Sequence, residues 1–459
     1  MQKTYQLTTF GCQMNLSDSE RIAAVCEMMG YKPVKDDEIA DLYIINTCSV
    51  RQKAEDRVLG MHHKFVELKS KKKDTKVIIT GCMVKRDIRQ NPEKSQRYQE
   101  SYYEELKTKM PWADFFVEIN QINKLPELLN EQIEIKIDEY FAITPKYNSK
   151  FQAFVPISTG CDKFCTFCIV PFTRGKEVYR DYNQIYNEVL TLVQSGVKEI
   201  TLLGQNVNSW KSRKEGLLGV PIPKFRGNIE KDYLDFADLI ENLAQIDGDF
   251  WLRFTSAHPY DINPRLIDVV ANEKNIAKQF HFALQSGSNS VLRRMNRYYT
   301  AEEFEEKVNL IKEKIPGVAI TTDVIVGFCG ETEEEFLDTV KLCERIQFDQ
   351  IYISEYSQRS GTIAAKFYKD DIPHEVKEKR KQILEEVLKN GLKEKNKKLI
   401  NTKQKALVYK TERKTKNLIA RTTHGKDVEI TNSQNKEYIG QFVYVDIKDA
   451  LEFRLFGEI

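Results

Sequence analysis

The chain of 459 residues has no apolar run of 18 and no charged start leading into one. Neither a membrane span nor an export leader is expected, and the protein reads as cytoplasmic. Charge of one sign is also missing: 70 Lys and Arg stand against 68 Asp and Glu, a net charge of +2. That balance names no partner until it is resolved by region. Histidine is scarce, and the six residues (His62, His63, His258, His281, His374, His424) offer no pair at ligand spacing. Nine cysteines without an export signal belong to a reducing compartment, so a disulfide framework is not expected. Charged residues make up 30% and hydrophobic ones 41%, an ordinary soluble balance, and the length calls for two or three domains.

One further absence is the most telling. "GCDKFCTFCIVPFTRG" (Gly160–Gly175) places Cys161, Cys165 and Cys168 within eight positions and supplies no fourth ligand. A structural zinc site closes its tetrahedron with four protein ligands, and an electron-transfer cluster also uses four cysteines. Three thiolates on a 4Fe–4S cluster leave one iron open to a small chelating molecule. Zinc completed by a remote histidine is the competing reading, weakened by the scattered histidines.

A second set is dispersed. "TYQLTTFGC" (Thr4–Cys12), "ADLYIINTC" (Ala40–Cys48) and "TKVIITGC" (Thr75–Cys82) each read as a strand ending in cysteine. Helical patterns run between them, "SDSERIAAVCEMMG" from Ser17, where Ser17 and Glu20 fit a capping box, and "RQKAEDRVLGMHHKFVELK" from Arg51. Such alternation predicts a parallel sheet, with ligands gathered beyond the carboxyl ends of its strands. Cys12, Cys48 and Cys82 would therefore meet on one rim; the plain alternative is that they only pack. Cys26 and Cys343 lie in helical patterns and are read as core, while Cys329 is left unassigned.

From Phe151 onward six strand patterns alternate with helices: "FVPIST", "EITLLGQN", "FWLRFTS", "FHFALQS", "AITTDVIVGF" and "QIYISEY". Six units are too few for a closed eight-stranded barrel and suit an open one. A charge-dense helix after Pro373 reads as a solvated connector. Short strands follow it and predict a small β-barrel. From Lys397 to the end there are 13 Lys and Arg against 8 Asp and Glu, a balance compatible with tracking phosphates.

C-x3-C-x2-C with Phe167 before the third cysteine resembles the signature of the radical S-adenosylmethionine (SAM) superfamily. "FGCQMNLSDSE", "NTCSVRQKAEDRV", "GCMVKR", "CTFCIVPFTRGKE", "LLGQNVNSW" and "DVIVGFCGETEEEF" together resemble its methylthiotransferase family, nearly end to end and in order. The "NTCSVR" and "LGQNVNS" segments are similar to the tRNA-adenosine branch, the MiaB type. The sequence departs from the family at Cys329, where proline is usual, at "FALQSGS", and in the long polar stretch Asn91–Met110.

The resemblance implies an α/β chain in three parts. Residues 1–143 would form a parallel α/β domain holding an auxiliary cluster. Residues 147–390 would form an open (β/α)6 partial TIM barrel, the radical SAM core, and 396–459 a TRAM RNA-binding β-barrel. It also implies two 4Fe–4S clusters, one on Cys161, Cys165 and Cys168 and one on Cys12, Cys48 and Cys82. Phe167, Gly204, Gln205 and Asn206 would contact SAM, with Gly204–Asn206 near the methionine amino group. The implied reaction is radical methylthiolation of C2 of N6-isopentenyladenosine beside the tRNA anticodon. A deoxyadenosyl radical would remove the hydrogen, and the second cluster would supply sulfur. Other branches act on threonylcarbamoyl-adenosine or on a ribosomal-protein aspartate; from another class, an iron–sulfur redox sensor fused to an RNA-binding barrel would be the rival. The expected partners are tRNA and a reducing electron-donor protein, with no membrane and a monomeric state.

Overall fold

A computed structural model describes residues 2–35, 38–50, 52–86, 92–131, 140–213 and 233–459. The chain divides into two compact units. The first comprises Met1–Asn148, Thr159–Val178 and Arg359–Lys366; the second comprises Ser149–Ser158, Tyr179–Gln358 and Phe367–Ile459.

The first unit is built on a five-stranded parallel sheet, in the order Lys32–Pro33, Thr4–Phe10, Leu42–Thr47, Lys76–Gly81, Phe115–Val117. Its central strands are apolar on both faces, because helices cover both. Leu42, Ile44 and Ile78 pack with Ile22, Val25 and Cys26 on one side. Tyr43, Ile45, Val77 and Ile79 alternate with them and meet Phe65, Leu106 and Trp112 on the other. Cys26 and Cys343 are both buried, as core residues should be.

Two local expectations are corrected in this unit. The first helix runs Gln13–Met28, five residues longer at its start than a Ser17 cap would allow. Cys12 is its N-cap, and the Asn15 carboxamide oxygen accepts the Cys12 N–H at 3.2 Å. Ser17 is buried inside the helix, where its hydroxyl accepts from Arg21. The pattern after Arg51, a residue outside the described ones, is interrupted at Gly60 and Met61 and forms two helices, Gln52–Leu59 and His62–Lys71. Of the long polar stretch, Asn91 lies outside the described residues and the rest is the helix Pro92–Lys109 with its short exit.

The second unit carries all six predicted core strands, Gln152–Pro156, Glu199–Leu203, Trp251–Phe254, Gln279–His281, Ala319–Val326 and Gln350–Glu355. They pair in parallel as two runs of three, in chain order. A bridge between Ala257 and Phe282 joins the runs. The result is the open partial barrel. Residues Lys403–Glu458 form a closed five-stranded barrel, as their strand spacing predicts.

The helix His374–Lys397 is not a solvated connector. Leu384, Leu388 and Leu392 recur every four residues along it and are buried, so one stripe is apolar despite the dense charge. The C-terminal barrel is fastened to the core strands through Arg253. Its guanidinium pairs with buried Glu199 and donates to the Thr422 and Thr423 carbonyls at 2.8 and 3.1 Å. Trp251 and Phe442 add a ring contact at 4.6 Å.

This arrangement predicts the effect of Arg253→Ala. Removing one partner of a buried ion pair leaves the Glu199 charge without its cation, a loss of about 3–5 kcal/mol, although the Gln152 amide still donates to it at 2.8 Å. Thermal unfolding is therefore expected to fall by several degrees or more, read by circular dichroism. A melt within a degree of the parent would show that the anchor carries no stability.

Candidate metal centres

The auxiliary set is assembled by register. Phe10 lies opposite Thr47, and Thr47 opposite Gly81, so the residues that follow leave adjacent strands at one level. Those residues are Gly11 with Cys12, Cys48 and Cys82. Gly11 is required by the crowding: an added Cβ would lie 2.2 Å from Asn15 Oδ1 and 3.0 Å from Cys48 Cβ. Buried amides hold the rim. Asn15 donates to Asn46 Oδ1 at 3.1 Å, and Asn46 donates to the Asn15 carbonyl at 2.8 Å and to Ser19 at 3.0 Å.

Cys48 and Cys82 are buried while Cys12 is exposed, so the group opens outward on one side. The thiols influence one another. A hydrogen bond from Cys48 lowers the Cys82 thiol, helped by the charge of Arg174 and opposed by burial. The same bond, with burial and the neighbouring thiols, raises Cys48. Arg174 Nε donates to Cys82 Sγ at 3.1 Å, and the Val50 N–H donates to Cys48 Sγ at 3.3 Å. The set offers three soft sulfur donors, with charged and main-chain N–H groups already directed at two of them. That chemistry fits an iron–sulfur cluster with one iron left free of protein ligands.

Cys161, Cys165 and Cys168 lie in the same compact unit, on a tight loop. Gly160 (φ +80°) begins it, and a Cβ there would fall 2.0 Å from the Lys176 carbonyl oxygen. Phe164 also takes the left-handed conformation (φ +48°), which turns the chain between the first two cysteines. The Cys161 N–H donates to the Gly175 carbonyl and the Cys168 N–H to the Cys165 carbonyl. The Ala364 N–H, from the Arg359–Lys366 segment, donates to the Thr166 carbonyl at 2.8 Å. Burial pushes the Cys161 thiol up to about 11, with Cys165 adding to the effect. A bound metal would reverse that direction, since a coordinating thiol is deprotonated outright. Phe167 stands in this loop, beside Cys168 in sequence. The donor set again fits a cluster one protein ligand short.

Gly204, Gln205 and Asn206 belong to the second unit and follow the strand Glu199–Leu203 directly. A Cβ on Gly204 would meet Ser158 Oγ at 2.5 Å. Gln205 Oε1, Asn206 Oδ1 and Ser158 Oγ are buried atoms with no hydrogen-bond partner among the described residues. Buried acceptors call for donors. An ammonium group such as that of methionine supplies three, so this strand end suits the amino acid portion of SAM. Asn206 is oriented by its own amide, which donates to Asp261 at 2.7 Å.

Sequence patterns missed Arg174, Asp18, Asn15 and Asn46. All four stand within the quoted motifs, but nothing in their spacing shows what they touch. Cys329 is buried, and burial raises its thiol.

Three family models match in order: "Uncharacterized protein family UPF0004" over residues 4–115, "Radical SAM superfamily" over 155–343 and "TRAM domain" over 397–459. Curated relatives match along the whole chain. A tRNA-2-methylthio-N(6)-dimethylallyladenosine synthase of Dictyoglomus thermophilum is 36% identical over 99% of this chain and 98% of its own. Synthases of the same name from Clostridium botulinum and Treponema denticola are each 37% identical, covering 98% and 97% of this chain and 96% and 97% of their own.

Proposed function

The chain belongs to the radical SAM methylthiotransferases, in the tRNA-2-methylthio-N(6)-dimethylallyladenosine synthase branch, and we propose that its two cysteine groups divide the work of one reaction. It is a tRNA-modifying enzyme that places a methylthio group on C2 of N6-isopentenyladenosine, next to the anticodon on its 3′ side. It uses two 4Fe–4S clusters and SAM. The observation that carries the division is the presence of two separate three-thiol groups in one chain.

When bound, these groups supply a one-electron cleavage of SAM at one site and sulfur at the other, chemistry that side chains cannot provide. The protein binds, orients and shields. Cys161, Cys165 and Cys168 hold the SAM-cleaving cluster, which Phe167 flanks; Gly204, Gln205 and Asn206 receive the methionine amino group. Cys12, Cys48 and Cys82 hold the second cluster. Functionally the chain divides at 1–143, 147–390 and 396–459. C2 of adenine carries no acidic proton, so no side-chain base is required of the site. A single-stranded anticodon-loop base can be splayed out for such chemistry.

Nucleoside mass spectrometry of tRNA from cells lacking this chain tests the reading. N6-isopentenyladenosine is expected to accumulate without its 2-methylthio group. An unchanged 2-methylthio level, or loss from threonylcarbamoyl-adenosine instead, would overturn the substrate.

The C-terminal barrel tracks the tRNA backbone through exposed cations. Arg413, Lys414 and Lys416 crowd the tip between the strands Lys403–Thr411 and Leu418–Thr422 and are exposed. Replacing these three with alanine is expected to weaken tRNA binding and flatten its salt dependence. The log–log slope should drop by about 0.7–0.9 for each phosphate that is no longer neutralised. An unchanged slope would move phosphate recognition off this tip. Among the described residues no helix is long and apolar enough to cross a membrane. A cytoplasmic monomer, reduced by a separate electron-donor protein, completes the proposal.

A further inference from the structure

The Arg174 side chain is buried and uses its guanidinium in two directions. Nε points at Cys82 Sγ (3.1 Å), and a terminal nitrogen meets Asp18 Oδ2 at 2.6 Å. The two side chains are 3% and 0% exposed. Asp18 is held in turn by the Tyr140 hydroxyl, and Arg21 lies over the Tyr140 ring at 5.3 Å. Asp18 sits on the helix that Cys12 caps, whereas Arg174 ends the short helix Val170–Thr173, six residues after Cys168. Arg86 is also near, but it donates to the Cys82 carbonyl oxygen rather than to the sulfur.

Burying a guanidinium costs several kcal/mol unless it is paired, and Asp18 alone would meet that need. The second bond, to a thiol sulfur, is not required for stability. We propose that Arg174, held in place by Asp18, is a positioning residue that sets the electron affinity of the group carried on Cys12, Cys48 and Cys82. This rests on the reading that those three cysteines hold the auxiliary cluster. A hydrogen bond to a ligand sulfur raises a cluster's reduction potential, because reduction adds negative charge that the donor stabilises. A cation at the same sulfur acts in the same direction, and the Asp18 carboxylate offsets it. The pair therefore holds the sulfur-donating site between two extremes. It also ties that site to the loop bearing the other three cysteines.

The test uses the full chain with Cys161, Cys165 and Cys168 replaced by alanine, so that one cluster remains, reconstituted anaerobically with iron and sulfide. Its potential is read by a redox titration followed by electron paramagnetic resonance. Arg174→Gln is expected to shift the potential negative, because Asp18 is left uncompensated. Asp18→Asn is expected to shift it positive, because the cation is left unopposed. Arg174→Lys, which keeps the charge, is expected to move it less than Arg174→Gln. Opposite shifts are something a merely structural pair would not produce. Unchanged potentials, or shifts of one sign in both charge-removing variants, would overturn the inference. If Arg174→Gln takes up no iron, Asp18→Asn decides: a positive shift supports the assignment and an unchanged potential overturns it. A parent that binds no iron would overturn the ligand set itself, and this inference with it.

Discussion

Replacing Cys161, Cys165 and Cys168 together with alanine is expected to abolish reductive cleavage of SAM and to remove about half the iron, since each cluster carries the same complement. Replacing Cys12, Cys48 and Cys82 is expected to remove the other half, yet to leave cleavage intact and block sulfur insertion. The asymmetry follows from the placement of the thiols. One set sits on a single loop whose glycine Gly160 (φ +80°) admits no side chain. The other is spread over three strand ends held in register, Phe10 to Thr47 to Gly81. Loss of one set should not dismantle the other, because each has its own backbone support. Iron analysis and quantitation of 5′-deoxyadenosine and methylthiolated nucleoside distinguish the two outcomes. Full iron content in either triple variant would end the two-site reading, and loss of cleavage in both would mean that the sites are not separable.

The second large effect concerns the substrate. On tRNA whose target adenosine lacks the prenyl group, kcat/KM for methylthiolation is expected to fall several hundredfold. An apolar five-carbon group can fill a pocket that a bare amine leaves empty. At about 0.8 kcal/mol per buried methylene-sized group, five carbons contribute roughly 4 kcal/mol. That preference separates one adenine from the many others in tRNA before any base contact is counted. Equal rates on prenylated and unprenylated tRNA would show that the enzyme selects the position by the RNA fold alone.

Much of this protein was legible in its sequence because its two periodicities are strong. Strands such as "LYIIN" and "KVIIT" alternate with helical patterns, which implies a parallel sheet under helices. The rule that parallel sheets bind ligands beyond their carboxyl ends then brought Cys12, Cys48 and Cys82 together across seventy residues. Local spacing was enough to place Cys161, Cys165 and Cys168 on one loop, since a loop is a local object. Where the sequence misled, a nearby signal competed with a stronger contact elsewhere. Ser17 and Glu20 have the spacing of a cap, but Asn15 reaches the Cys12 N–H and starts the helix earlier. The charges of His374–Lys397 hid a stripe of three leucines.

The sequence by itself determined the thiol sets, the order of the parts and the closed barrel at the end, because each is written in short-range pattern. Tertiary structure alone decided what surrounds the thiols. Arg174 reaches Cys82 across 92 positions and Asp18 across 156. The orphaned acceptors at Ser158, Gln205 and Asn206 likewise become a group only when two strand ends lie side by side. Ligand identity is a matter of residue type and can be read along a chain. The charge and hydrogen bonds that tune a ligand come from whatever folding brings against it, and no periodicity records that.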